Sequence, residues 1–266
     1  MNMVIISSSP DGKVARRILE SAVGHGLQAR IVGVDDIGSL FAEDLNGTVI
    51  LPRISPEKNA ATTQLLQIQA AGGRVINSAE SWAISRDKWS TYQSLERAHV
   101  PTPQTIIAPA GSLFSLAFGL GEQAVFKPRY GTHGEGIVVL QMGDVVPAEA
   151  GVLQKYVETG GTDIRLFVVG SRVVAAMHRQ AKPGDFRANL HQGATAMAYL
   201  PSKEMQQLAV RAAKSMGLDV AGIDILANDT TMLVIEANPS PGFGIEKYTG
   251  SDIAGAIIEA ILTKQV

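Results

Sequence analysis

The sequence predicts an α/β amino-terminal unit continued by an α+β region that carries the chemistry. Two observations lead there. Over residues 1–80, short β-branched runs alternate with apolar residues at helical spacing. That alternation is the mark of a small doubly wound α/β unit. Further along, the chain reads as hairpins, and the last of them carries Asp224, Glu236 and Asn238.

Met3–Ile6 is the first apolar run, and Ser7–Gly12 breaks it. Val14, Ile18 and Ala22 then mark one face of a helix. Arg30–Val34, Thr48–Leu51 and Arg74–Ile76 read as further strands. Ala61, Leu65 and Ile68 place a helix before the last of these, closed by Gly72-Gly73. No GxGxxG follows the first strand, so the dinucleotide fingerprint is absent. Arg53 follows a strand end and could face a crevice, but a surface arginine is the plainer expectation. Ser85–Ala98 reads as one helix through Trp89, Tyr92 and Leu95, ending before Val100-Pro101-Thr102-Pro103. A domain boundary is expected near Ser85. Lys88, taken alone, is a solvated lysine.

Ala124–Leu140 reads as strand, glycine-rich loop, strand. Gly131, Gly134 and Gly136 let the backbone turn and present N–H groups to an anion. Lys127 ends the first strand and can reach a phosphate. Gly151–Val157 is a short strand, and Asp163–Val169 with Arg172–Arg179 forms a hairpin around Gly170-Ser171. The loop 181–193 concentrates Lys182, Asp185, Arg187, Asn189 and His191, as would suit a cover over an anionic ligand or a solvated loop. Pro201–Gly217 is an amphipathic helix, and a closing helix carries Ile253, Ile257, Ile258 and Ile261.

In the last hairpin, Val220–Leu226 and Met232–Ala237 flank the turn residues Ala227–Thr231. Glu236 and Asn238 are two apart and share a face. An odd loop centred on Thr230 would pair Asp224 with Glu236. Two carboxylates on an apolar hairpin stay ionised only beside positive charge. Oxygen-only ligands suit Mg²⁺ sharing its shell with phosphates. Asn238-Pro239-Ser240-Pro241-Gly242 then ends the strand abruptly.

Composition bounds the rest. The net charge of −2 gives no argument for nucleic acid or anionic membrane. With no cysteine, a disulfide framework, a thiolate metal site and a cysteine nucleophile are excluded together. The first residues lack a signal-peptide pattern, and no apolar run approaches the roughly 20 residues of a membrane span. The expectation is a cytoplasmic protein.

Seven stretches together resemble the ATP-grasp superfamily of carboxylate–amine ligases, and more narrowly its RimK-type glutamate ligases. They are LPRI from Leu51, AISRDK from Ala83, GTHGEGI from Gly131, DIRLFVVG from Asp163, GDFRANLHQG from Gly184, AGIDIL from Ala221 and EANPSPGFGIEKYTG from Glu236. The resemblance implies an ATP-grasp fold: an amino-terminal domain over 1–84 and an ATP-grasp domain over 85–266. The latter divides into a nucleotide-covering part, 85–157, and a metal-binding part, 158–266. It implies Lys88, Lys127 and the glycines on the phosphates, Gln154, Lys155, Tyr156 and Val157 on adenine, and Asp163 near the ribose. Arg187 and Asn189 would lie on the phosphate and metal side. Asp224, Glu236 and Asn238 would hold Mg²⁺ or Mn²⁺, two ions in all. Arg165, Arg179 and Arg187 are the candidates for the acyl phosphate or the incoming carboxylate.

The implied activity is ATP-dependent amide formation, adding glutamate or a similar amino acid to a peptide, protein or small-molecule acceptor, in a homo-oligomer. A ligase acting on free amino acids, a carrier protein or a coenzyme tail is the alternative, and a nucleotide-binding regulator without turnover the remote one. Two positions depart from the pattern: Gln192 stands where a second basic residue is usual, and Ala188 where serine is common.

Overall fold

The computed structural model of the protein describes residues 1–54, 61–131, 134–188, 190–228 and 230–266. Its first layer is a parallel sheet of β1 (Asn2–Ser7), β2 (Gln28–Gly33), β3 (Val49–Arg53) and β4 (Arg74–Val75), in the order β2-β1-β3-β4. The runs of Val, Ile and Leu in the central strands β1 and β3 are buried on both faces, as a parallel sheet requires. Helix α1 (Lys13–Gly24) buries Ala15, Ile18 and Ala22, and α2 (Ala61–Ala70) buries Ala61, Leu65 and Ile68.

The single helix expected over 85–98 is two. These are α3 (Ala79–Arg86) and α4 (Lys88–Arg97), parted at Asp87. The Asp87 carboxylate accepts from the N–H groups of Trp89 and Ser90, which makes it the N-cap of α4. A small antiparallel sheet follows, ordered β5-β8-β6-β7, from β5 (Thr105–Ile107), β6 (Gln123–Pro128), β7 (Val138–Gln141) and β8 (Gly151–Lys155). The glycine-rich loop joins β6 to β7. Gly136 has φ +68°, and a Cβ there would meet the Pro128 ring at 2.7 Å, so only glycine fits.

The larger antiparallel sheet, ordered β11-β10-β9-β12-β13, contains β9 (Thr162–Val169), β10 (Arg172–Gln180), β11 (Thr195–Ala198), β12 (Val220–Ala227) and β13 (Met232–Asn238). Helix α5 (Lys203–Ser215) covers one face through Leu208, Ala209 and Ala212, against Ile164, Leu166, Val168 and Ile223. The intervening strand residues Asp163, Arg165, Phe167, Gly222 and Asp224 therefore point to the other face. After the short α6 (Glu246–Thr249), helix α7 (Ile253–Leu262) buries its four isoleucines between Phe167 and Val169 of that face and Ala15, Ile18 and Ala22 of α1. One apolar core thus runs from the parallel sheet into the large antiparallel sheet. Among the described residues no helix is long and apolar enough to cross a membrane.

Candidate active site

Asp224 and Glu236 are paired across β12 and β13, and Gly222 faces Asn238. The pairing arises otherwise than through an odd loop. The turn end is in even register, with Ala227 opposite Met232 and Ile225 opposite Val234. A bulge between Asp224 and Ile225 then absorbs Ile235 and restores Asp224 to Glu236. Bulges of this kind re-aim side chains beside sites.

Asp224 is fully buried and receives two guanidinium groups. Arg165 donates from Nε and Nη2 at 2.6 and 2.5 Å, and Arg179 reaches the same carboxylate at 2.8 Å. Burial by itself would raise the Asp224 carboxyl, but the two arginines outweigh it and hold its pKa at about 2. Arg179 also donates to both oxygens of Asp163 at 2.6 Å. Burial and the neighbouring Asp224 charge push the Asp163 carboxyl up.

This network revises one sequence expectation. Arg179 is closed to solvent and engaged by two carboxylates, so it orients Asp224 rather than standing open to an incoming anion. The Asp163 carboxylate is buried and holds that guanidinium through both of its oxygens.

Two lysines lie near the carboxylates, Lys127 from β6 of the small sheet and Lys88 from α4. Lys127, at the end of β6, donates to the Gln154 side-chain oxygen at 2.7 Å, and Gln154 in turn donates to Thr105. Desolvation lowers the Lys127 pKa to about 8, against the raising influence of Glu236 and with a further lowering from Lys88. Lys88, the first residue of α4, donates to the Gly131 carbonyl at 3.0 Å. It too is lowered by burial and supported by Glu236 and Asp87. Lys88 is therefore half-buried, with Glu236 near enough to support its charge, rather than a plain surface lysine.

A pair that sequence reasoning missed fixes both lysines. Arg129 donates to both Asp87 oxygens, at 2.7–3.0 Å, tying the residue before Lys88 to the strand end after Lys127. Both partners lie within the stretches AISRDK and FKPRY, which was the available signal.

Arg187 is not part of the Asp224 network. It pairs with Asp185 at 2.9 Å and donates to the Gly134 carbonyl at 3.2 Å, joining the loop 181–193 to the glycine-rich loop. Asn189, expected beside it, lies outside the described residues, as do Thr132 and His133. Lys155 is exposed at the end of β8, and Tyr156 and Val157 continue from it half-buried. Ala188 is buried.

The donor set fits a hard divalent cation. Glu236 is exposed and makes no hydrogen bond among the described residues. Asp224 Oδ1 accepts one hydrogen bond, and Asn238 Oδ1 accepts one from the Ser240 N–H at 2.8 Å, so each keeps a lone pair. Among the described residues no three acidic or histidine side chains gather as a metal cluster. The third oxygen here comes from Asn238, a carboxamide.

The RimK-like ATP-grasp domain family matches residues 85–261. The chain belongs to that family. Curated relatives match most of the chain. A probable alpha-L-glutamate ligase of Azotobacter vinelandii is 37% identical over 97% of this chain and 94% of its own. Another, from Haemophilus ducreyi, is 39% identical over 80% of this chain and 74% of its own. Among solved structures, a RimK-domain ATP-grasp protein of Sphaerobacter thermophilus superposes with TM-score 0.76 at 18% identity, covering 97% of this chain and 98% of its own. A D-alanine–D-alanine ligase of Bacillus anthracis, complexed with ATP, gives TM-score 0.74 at 16% identity over 100% of this chain and 98% of its own. The fold is ATP-grasp, and the protein is an ATP-dependent ligase of the RimK-like family.

Proposed function

We propose that the protein joins a carboxylate to an amine at the expense of ATP, adding glutamate or a similar amino acid to a peptide, protein or small-molecule acceptor through an acyl phosphate. The observation that carries this is the shared face of Asp224, Glu236 and Asn238, opposed by Lys88 and Lys127. The likeness over most of the chain to relatives named as probable glutamate ligases supports the amino acid.

Charge decides what this face can take. Lys88, Lys127, Arg165 and Arg179 bring four positive charges, and Asp163, Asp224 and Glu236 bring three negative ones. A near-neutral, desolvated set of this kind accepts a triphosphate only together with divalent cations. Asp224, Glu236 and Asn238 would hold Mg²⁺, which when bound neutralises the phosphate oxygens as charge moves.

Lys127 and Lys88 then grip the phosphates as point charges, and their lowered proton affinity recovers when phosphate replaces lost water. Gly131, Gly134 and Gly136 supply backbone N–H groups around the same phosphates. The segment Gln154–Val157 faces the adenine. Arg165 holds Asp224 in place and presents its remaining edge to the substrate carboxylate that attacks the γ-phosphate. The amine next displaces phosphate from the acyl phosphate. Positioning and charge neutralisation carry both steps. The chain needs no nucleophile of its own, in keeping with the absence of cysteine.

Mass spectrometry of products tests this. With ATP, Mg²⁺, glutamate and a panel of acceptors, the expected products are glutamylated acceptor, ADP and phosphate in equal amounts. ATP turnover with no new amide under any acceptor would remove the ligase reading.

A further inference from the structure

Arg53 is not the surface residue its strand-end position suggested. It is the last residue of β3 and only 9% exposed. Its Nη2 donates to the Pro241 carbonyl, and its guanidinium carbon lies 5.3 Å from the centre of the Phe243 ring. Its Nε is buried with no hydrogen-bond partner. Among the described residues no carboxylate lies within ion-pair distance of it. Burial alone lowers its pKa, to about 10. A buried guanidinium with an orphaned N–H and no counter-charge is an unbalanced arrangement.

Its place in the fold is that of a ligand site. In the order β2-β1-β3-β4, the strand sequence changes direction between β1 and β3. Ligands of doubly wound sheets bind in the crevice outside the carboxyl ends of the strands at this switch point. Arg53 ends β3 there, paired with Ser7 at the end of β1. Pro241 and Phe243 reach it from the loop that follows Asn238. Pro241 packs so closely on Gly222 that a Cβ at Gly222 would lie 2.8 Å from it. The crevice therefore adjoins the face that carries Asp224.

Nε and Nη2 form one edge of the guanidinium fork, the edge that takes a carboxylate through two parallel bonds. Here one of those donors meets a single neutral carbonyl and the other meets nothing. We propose that Arg53 is the receptor for a substrate carboxylate that is not itself activated, the free carboxylate of the acidic amino acid or peptide brought to the ligase. This rests on the ligase reading above. The carboxylate displaces the Pro241 carbonyl from Nη2 and satisfies Nε. Arg53 thereby selects acidic over neutral substrates.

The test compares wild type, Arg53→Met and Arg53→Lys, each with L-glutamate and with L-glutamine, its uncharged side-chain amide. Phosphate release gives KM and kcat for each amino acid and for ATP, and thermal unfolding gives Tm with and without glutarate. In Arg53→Met the KM for glutamate should rise at least tenfold, the preference for glutamate over glutamine should collapse, and the KM for ATP should stay within twofold. Arg53→Lys should fall between and serves alone if Arg53→Met does not fold. An unchanged glutamate preference, with only a lower Tm, would make Arg53 a pin between β3 and the Pro241 loop and overturn the proposal. If wild type forms no new amide with any amino acid or peptide, the ligase reading fails first. Arg53 is then judged by glutarate: a Tm rise in wild type that both variants lose supports a carboxylate receptor, and no rise rejects it.

Discussion

Replacing Glu236 by glutamine changes one charge and almost nothing else. Glu236 is exposed, makes no hydrogen bond among the described residues, and owes its position to the bulge at Ile235. Glutamine is isosteric and equally able to occupy β13, so the unfolding midpoint should move by no more than an exposed substitution does, about 0.5 kcal/mol. The effect on turnover should be large. The carboxylate that supports both lysine charges is lost, and with it one of the two anionic oxygen donors for a divalent cation. Losing one preorganised electrostatic partner at a phosphoryl-transfer site costs about 3 kcal/mol of transition-state stabilisation, or roughly 100-fold in kcat. The assay is phosphate release across a Mg²⁺ titration. Excess Mg²⁺ should restore part of the activity by mass action. Turnover within a few-fold of wild type, with an unshifted Mg²⁺ dependence, would remove Glu236 from the site.

Three other perturbations follow from the same geometry. Lys127→Ala should raise the KM for Mg·ATP by roughly tenfold or more, because a desolvated charge-assisted contact is lost. Since Lys127 is depressed to about 8 in the free protein, nucleotide binding should take up a proton above about pH 8, and over that same range its affinity should fall as pH rises. Calorimetry in buffers of different ionisation enthalpy reads this uptake, and Lys127→Ala should abolish it. Over the same range the ligand-free protein should gain stability with rising pH. Folded Lys127 then binds fewer protons than the unfolded chain, which releases its proton only near 10.4. Asp87→Asn keeps the α4 cap but loosens Arg129, so the KM for ATP should rise by roughly three- to tenfold in nucleotide titrations while Tm changes little. Asn77→Ala should cost about 2–4 kcal/mol in urea unfolding, because its buried carboxamide accepts from Asp219 and Val220 and donates to Val220 and Pro239.

Asn77 also marks where sequence legibility ends. Most strands, the stripe on α2 and the isoleucine face of α7 could be read, because period is local; the Asp224–Glu236 pairing was expected from an odd loop that the even turn does not form. The bulge at Ile235 could not be read. A one-residue excess is absorbed wherever the ladder tolerates it, and alternation alone does not say where. The split of α3 from α4 was hidden because Ser85–Ala98 keeps helical spacing across Asp87, whose capping role only the backbone reveals. Arg165 and Arg179 were recognisable as candidates. Their commitment to Asp224 and Asp163 follows from the strand order β10-β9-β12, a long-range fact. The partners of Asn77 and Arg53 were not legible for the same reason, since each bonds residues more than a hundred positions away in the loop around the site. The amino-terminal unit thus supplies side chains to the carboxyl-terminal face, which composition and motifs do not announce.

In the proposed reaction a substrate carboxylate attacks ATP on the Asp224–Glu236 face. Labelling both oxygens of that carboxylate with heavy oxygen and following them by mass spectrometry tests it most directly. Activation as an acyl phosphate predicts that one labelled oxygen leaves in the inorganic phosphate and the other stays in the new amide. Phosphate released without label while the amide forms would contradict the account.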